Sequence, residues 1–131
     1  MVELDYSPVR HRVDVHVQSC QVLTTHLAAA PLNVAFTLPI GIIRNVKIIF
    51  HRGCNRHISM YIMHHGIQWM PVVLGSVFCE DTGGMPLEFD VYRDVWDGQQ
   101  DFQIIAWNDG VDVYWNHVVT VLFGYSLSEV L

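Results

Sequence analysis

Apolar residues recur along this chain with a period of two, and Gly, Pro, Asn and Asp interrupt the pattern at short intervals. RVDVHV (12–17) alternates apolar and polar side chains, which is the signature of a half-buried strand. LNVAFTL (32–38) is a second such run, stopped by Pro39 and Gly41. In IIRNVKIIF (42–50), Val46, Ile48 and Phe50 share one face, and in HISMYIMH (57–64), Ile58, Met60 and Ile62 do the same. IQWMPVV (67–73) is broken by Pro71, which suits an edge strand or a bulge. PLEFDV (86–91), DFQIIAWN (101–108) and HVVTVLFGY (117–125) complete a set of about eight. The turn signals between them are Arg52-Gly53, His65-Gly66, Thr82-Gly83-Gly84, Asp97-Gly98 and Asn108-Asp109-Gly110. No stretch keeps a 3.6-residue period for three turns, and LTTHLAAAP (23–31), the one weak helical candidate, reads equally as an extended loop from its proline end and alanine run. The expected fold is all-β: an antiparallel β-sandwich, jelly-roll-like, of about eight strands.

A chain of 131 residues suits a single domain with a core of its own. Within it, 1–31 reads as an N-terminal strand with an extended arm (MVELDYSPVRHR), and 32–131 as the sandwich core. Charged residues make up 15% of the chain, against about 25% in an average soluble domain. Such a low-charge chain is expected to hide surface against other subunits, as a homo-oligomer. No apolar run reaches the roughly 18 residues of a membrane helix, and no basic-then-apolar leader opens the chain, so no membrane partner is expected. The net charge is −6 and Lys47 is the sole lysine, which argues against nucleic acid as a partner. Cys20, Cys54 and Cys79 are odd in number and widely spaced; reduced, buried thiols are the expected reading.

Candidate chemistry concentrates in IFHRGCNRHISMYIMHHG (49–66), which holds four histidines and a cysteine. His51, Cys54 and His57 straddle a glycine turn that could fold them together, as a tetrahedral zinc site requires. Arg52 and Arg56 in the same loop oppose a cation. In the strand that follows, His64 lies on the face of Ile58, Met60 and Ile62, while His57 and His65 lie on the other. The segment therefore reads as a strand–turn–strand, with no metal assigned. Asp81-Thr82-Gly83 is the tripeptide of aspartic proteases, but it sits past the midpoint and reads better as a turn. There is no G-x-S-x-G elbow and no Gly-rich phosphate loop, so no catalytic residue, cofactor or enzyme activity is assigned. Trp96 and Trp115, near predicted loops, offer rings for stacking on sugars, whereas Trp69 and Trp107 read as core or interface. Asp97, Asp109 and Asp112 could supply oxygens to calcium, with turn formation as the plainer account.

The last strand is apolar on both faces, with Val118 and Leu122 on one and Val119, Val121, Phe123 and Tyr125 on the other. A sandwich strand normally shows one face to water. Val119, Val121, Phe123 and Tyr125, together with Trp115, are therefore the expected subunit contacts, with cover of the apolar face by the chain's own N-terminal arm as the alternative.

Several segments together resemble small β-sandwich virion accessory proteins of tailed bacteriophages and related viral sequences. They are LPIGIIRNVKIIFHRGC (38–54), IMHHGIQWMP (62–71), FDVYRDV (89–95) and FQIIAWNDGVDVYWNHVVTVLFG (102–124). The shared pattern is an apolar-Pro-x-Gly start, a strand ending in Phe, a Gly-Cys turn, a Gly-x-Gln-x-x-Pro hairpin, an Ala-Trp-Asn strand and a His-Val-Val-x-Val terminal strand. His51 departs from the proline that pattern has after Phe50. The resemblance implies a fold and a setting but no active site: a capsid decoration or cement subunit, homotrimeric, assembled in the host cytoplasm into the virion. Its partners would be the major capsid protein or other virion subunits. The alternative is a carbohydrate-binding sandwich, or a tail or spike component, for host-surface glycans.

Overall fold

The computed structural model describes residues 9–54, 56–80, 84–110 and 115–130. Its strands are β1 (Val9–Val22), β2 (Leu32–Thr37), β3 (Gly41–Phe50), β4 (Ile58–His64), β5 (Ile67–Met70), β6 (Pro86–Val95), β7 (Asp101–Asn108) and β8 (His117–Val130). They form two four-stranded sheets, ordered β1-β8-β3-β6 and β2-β7-β4-β5, and every pairing is antiparallel. Apart from the β4–β5 hairpin, each connection carries the chain from one sheet to the other. That is the double-sheet jelly roll, an architecture that leaves only four edge strands.

The period-two pattern becomes the interior directly. Ile58, Met60, Ile62 and His64 are the buried alternate positions of β4, and Phe102, Ile104 and Ala106 are those of β7. From the other sheet come Ile43, Val46, Ile48 and Phe50 on β3, and Val119, Val121, Phe123 and Tyr125 on β8. A bulge at Arg44 reverses the parity of β3, so that Ile43 and Val46 both point inward. It also sets the Arg44 guanidinium 5.3 Å from the centre of the Tyr92 ring on the outer face. Phe36, Phe102, Phe123 and Trp69 meet between the sheets with ring centres 5.7–6.4 Å apart.

One open alternative is decided and two local expectations are revised. Residues 23–31 form turns closed by a Leu27–Ala30 bridge rather than a helix, with Nδ1 of His26 accepting from the Leu23 amide. β5 ends at Met70 instead of reaching residue 73, because the Gln68 side chain captures the carbonyls that follow. β1 begins at Val9 and pairs with β8 along its whole length, so the sandwich includes residues placed with the N-terminal arm; 1–8 lie outside the described residues. The β4–β5 hairpin turns on His65 (φ 51°) and Gly66 (φ 79°), the two positive φ angles of a type I′ connection.

Candidate functional site

The histidine-rich segment folds into two successive turns, with the Cys54 amide donating to the His51 carbonyl and the His57 amide to that of Cys54. These turns send the three side chains apart. Nε2 of His51 meets Thr120 Oγ1 at 2.8 Å on the outer face of the first sheet. Cys54 is buried, with its thiol directed at the Val118 carbonyl. His57 Nδ1–H donates to Asp109 Oδ2 at 2.8 Å. His65, on the β4–β5 turn, donates to Asp101 Oδ1 at 2.7 Å, and that bond holds the Asp101 carboxyl below its ordinary value. Among the described residues no three His, Cys, Asp or Glu side chains are grouped so as to hold a metal ion. Asp81-Thr82-Gly83 and Asp112 lie outside the described residues. Asp97 is exposed in a turn, and Asp109 is the partner of His57.

His64 differs from the others: it is buried and sits in a built polar site. Its ring stacks on Phe102 with centres 4.1 Å apart. Arg93 Nε–H donates to His64 Nδ1 at 2.9 Å, and His64 Nε2–H donates to the Gln99 carbonyl at 2.7 Å. This pattern requires the neutral ring, and burial lowers its pKa from 6.5, with the Arg93 charge acting in the same direction. The Arg93 guanidinium also lies 5.6 Å from the centre of Trp69. Outside this pair, an opening of about 290 Å³ is lined by His64, Tyr92, Arg93, Asp94, Trp96 and Gln99, with Trp96 61% exposed. An aromatic face beside a guanidinium, a carboxylate and a carboxamide can accept one small polyhydroxylated ring.

The expected subunit contacts on β8 require a correction. Val119, Val121, Phe123 and Tyr125 are at most 1% exposed, packed between the sheets, and Tyr125 O–H donates to the Pro39 carbonyl at 2.8 Å. They are core, because the more apolar face of a two-faced strand is the one turned inward. Val118 and Leu122 face outward and are half-buried beside the exposed Val17, which pairs with Leu122; Val15 is exposed nearby. Trp115 is exposed, Trp69 is core, and Trp107 lies half-buried on the outer face of the second sheet, edge-to-face with Tyr61.

The most exposed apolar segment follows β5. Val72, Val73 and Leu74 are 82%, 69% and 75% exposed. Gln68 clamps this loop: its Nε2 donates to the carbonyls of Pro71, Val73 and Ser76 at 2.9–3.2 Å, and its Oε1 accepts from the Gly75 amide. Reading 67–73 as one strand concealed it. The available signal was a run of thirteen residues without a charge, Ile67–Cys79, spanning Pro71 and Gly75.

No family model matches the chain, and no curated protein matches it. Among solved structures, the fold is similar to a chain of the cyanophage Pam1 capsid asymmetric unit, with a TM-score of 0.58 at 17% identity over 89% of this chain and 86% of that one.

Proposed function

We propose that the chain is a non-enzymatic structural subunit of a virus particle, a decoration or cement protein that stabilises a shell by contacts with the major capsid protein or other virion subunits. The observation that carries this reading is the similarity of the whole jelly roll to a chain of a capsid asymmetric unit. Its exposed apolar groups support it: Val72, Val73 and Leu74 at one loop, and Val15 and Val17 on the outer face of the first sheet, are costly on a solitary chain and suit burial against neighbours. A homotrimer assembled in the host cytoplasm fits the low charge and three cysteines that form no disulfide. Trp115, 71% exposed, belongs among the contacts proposed. The test is mass spectrometry of gradient-purified particles from cells that express the chain. Enrichment with the shell proteins is expected, and a chain abundant in the lysate but absent from intact particles would sink the reading.

A second reading rests on the opening beside Trp96: binding of one sugar ring of a host-surface glycan, as a tail, spike or capsid lectin. Titration with oligosaccharides, followed by tryptophan fluorescence, should then show saturation in the wild type and none in Trp96→Ala.

A further inference from the structure

The clamped loop and a cleft elsewhere on the same sheet are complementary in chemistry. The loop is a knob of three aliphatic side chains in an uncharged run, and Gln68 fixes its backbone through four hydrogen bonds. A segment already held in one conformation loses little freedom on docking. The cleft, about 390 Å³, lies over the β2–β7 ladder and is lined, more by apolar than by polar surface, by Ala35, the half-buried Phe36, Thr37, Gly66, Asp101 and Gln103. One oxygen of its carboxylate, Asp101, accepts a hydrogen bond from His65 at 2.7 Å. Gly66 leaves its side of the cleft open, since a Cβ at that position would touch nothing within 4 Å.

We propose that the Val72-Val73-Leu74 knob of one copy docks in the β2–β7 cleft of the next. This deepens the structural-subunit reading and rests on its expectation that copies of the chain associate. The knob follows edge strand β5, and the cleft borders β2, the opposite edge of the same sheet. Knob and cleft are thus different patches, so the contact is head-to-tail, and it closes into a ring when the rotation per copy allows. A ring of this kind brings the β5 edge of each sheet beside the β2 edge of its neighbour and hides both from stray strand pairing.

The test uses two surface substitutions on the full chain: Val73→Asp, which spoils the knob, and Ala35→Glu, which fills and charges the cleft. Native mass spectrometry of the wild type is expected to show a small closed ring, trimeric on the reading above. Each variant alone is expected to be monomeric, with self-association weakened on the order of a hundredfold or more, as for loss of a central anchor. An equimolar mixture of the two should give dimers and nothing larger, because one intact knob meets one intact cleft. That rescue also establishes that both variants are folded. A Val73→Asp protein that keeps the wild-type assembly overturns the proposal, as does a mixture that stays monomeric. A wild-type monomer overturns it too; if that monomer is still found in purified particles, the copy-to-copy contact alone falls and the structural-subunit reading stands.

Discussion

Arg93 donates from Nε to Nδ1 of His64 at 2.9 Å, and the same imidazole donates from Nε2 to the Gln99 carbonyl at 2.7 Å. Both ring nitrogens are committed, one as acceptor and one as donor, so the ring has no place for a second proton without expelling the guanidinium. Through this pair the β4 terminus, the β6 strand and the β6–β7 turn are tied together at one end of the sandwich.

The pair has a pH consequence with a definite sign. His64 titrates below 6.5 when folded, so between that lower value and 6.5 the unfolded chain binds more protons than the folded one. Its contribution to stability is complete above 6.5 and declines as the pH falls through that window. Asp101, depressed below 3.8, contributes above that value and loses its share only at still lower pH. Urea midpoints followed from about pH 7.5 to about pH 5 should fall in the wild type and fall less steeply in His64→Gln. Parallel curves would show that His64 is not the titrating group.

Core and surface roles on and beside β8 separate in stability measurements. Phe123→Ala removes a ring that is 0% exposed and should cost about 3–5 kcal/mol. Trp115→Ala, at a site 71% exposed, should leave the stability of the isolated chain within about 0.5 kcal/mol. Chemical denaturation at low protein concentration reads both, and a small loss for Phe123→Ala would return that residue to the surface.

Removing the Gln68 amide frees three carbonyls and one amide of the 71–76 loop. Two of these bonds are exposed and two part-buried, so Gln68→Ala should cost about 0.5–1.5 kcal/mol globally. The local effect should be larger: faster hydrogen exchange at Gly75 and Ser76 and new protease cleavage between Pro71 and Ser76, with β4 and β7 unchanged. Unaltered exchange in the loop would mean that the clamp does not order it.

The thiols differ in access and in ionisation. Burial pushes the Cys20 thiol up to about 11, so at pH 8 only about one molecule in a thousand carries the thiolate there. Cys54 is 2% exposed, whereas Cys79 is half-buried, its thiol directed at the Arg56 carbonyl 3.0 Å away. A disulfide reagent should therefore modify one thiol quickly in the folded chain, and Cys79→Ser should abolish that phase. Two fast thiols in the wild type would contradict the burial of Cys20 and Cys54.

The strands and their turns were legible in the sequence because their causes are local. Alternation in HISMYIMH follows from a side-chain period of two, and His65-Gly66 makes its hairpin turn because both residues adopt positive φ. Other features depended on what packs opposite. Val119, Val121, Phe123 and Tyr125 form as apolar a row on a subunit surface as in a core, and only the facing sheet, β2-β7-β4-β5, decides between the two. The same holds for Gln68, whose neighbours in sequence continue a strand pattern until its own side chain takes the carbonyls of Pro71, Val73 and Ser76. His64 shows both levels together: its parity placed it on the inward face, but its neutral state required Arg93 and Gln99, brought from about thirty residues away. Period and turn chemistry act between near neighbours and can be read from the chain by itself; whether an apolar face is covered by the protein's own second sheet or by another subunit, and which group partners a buried polar side chain, are long-range, and tertiary packing sets them.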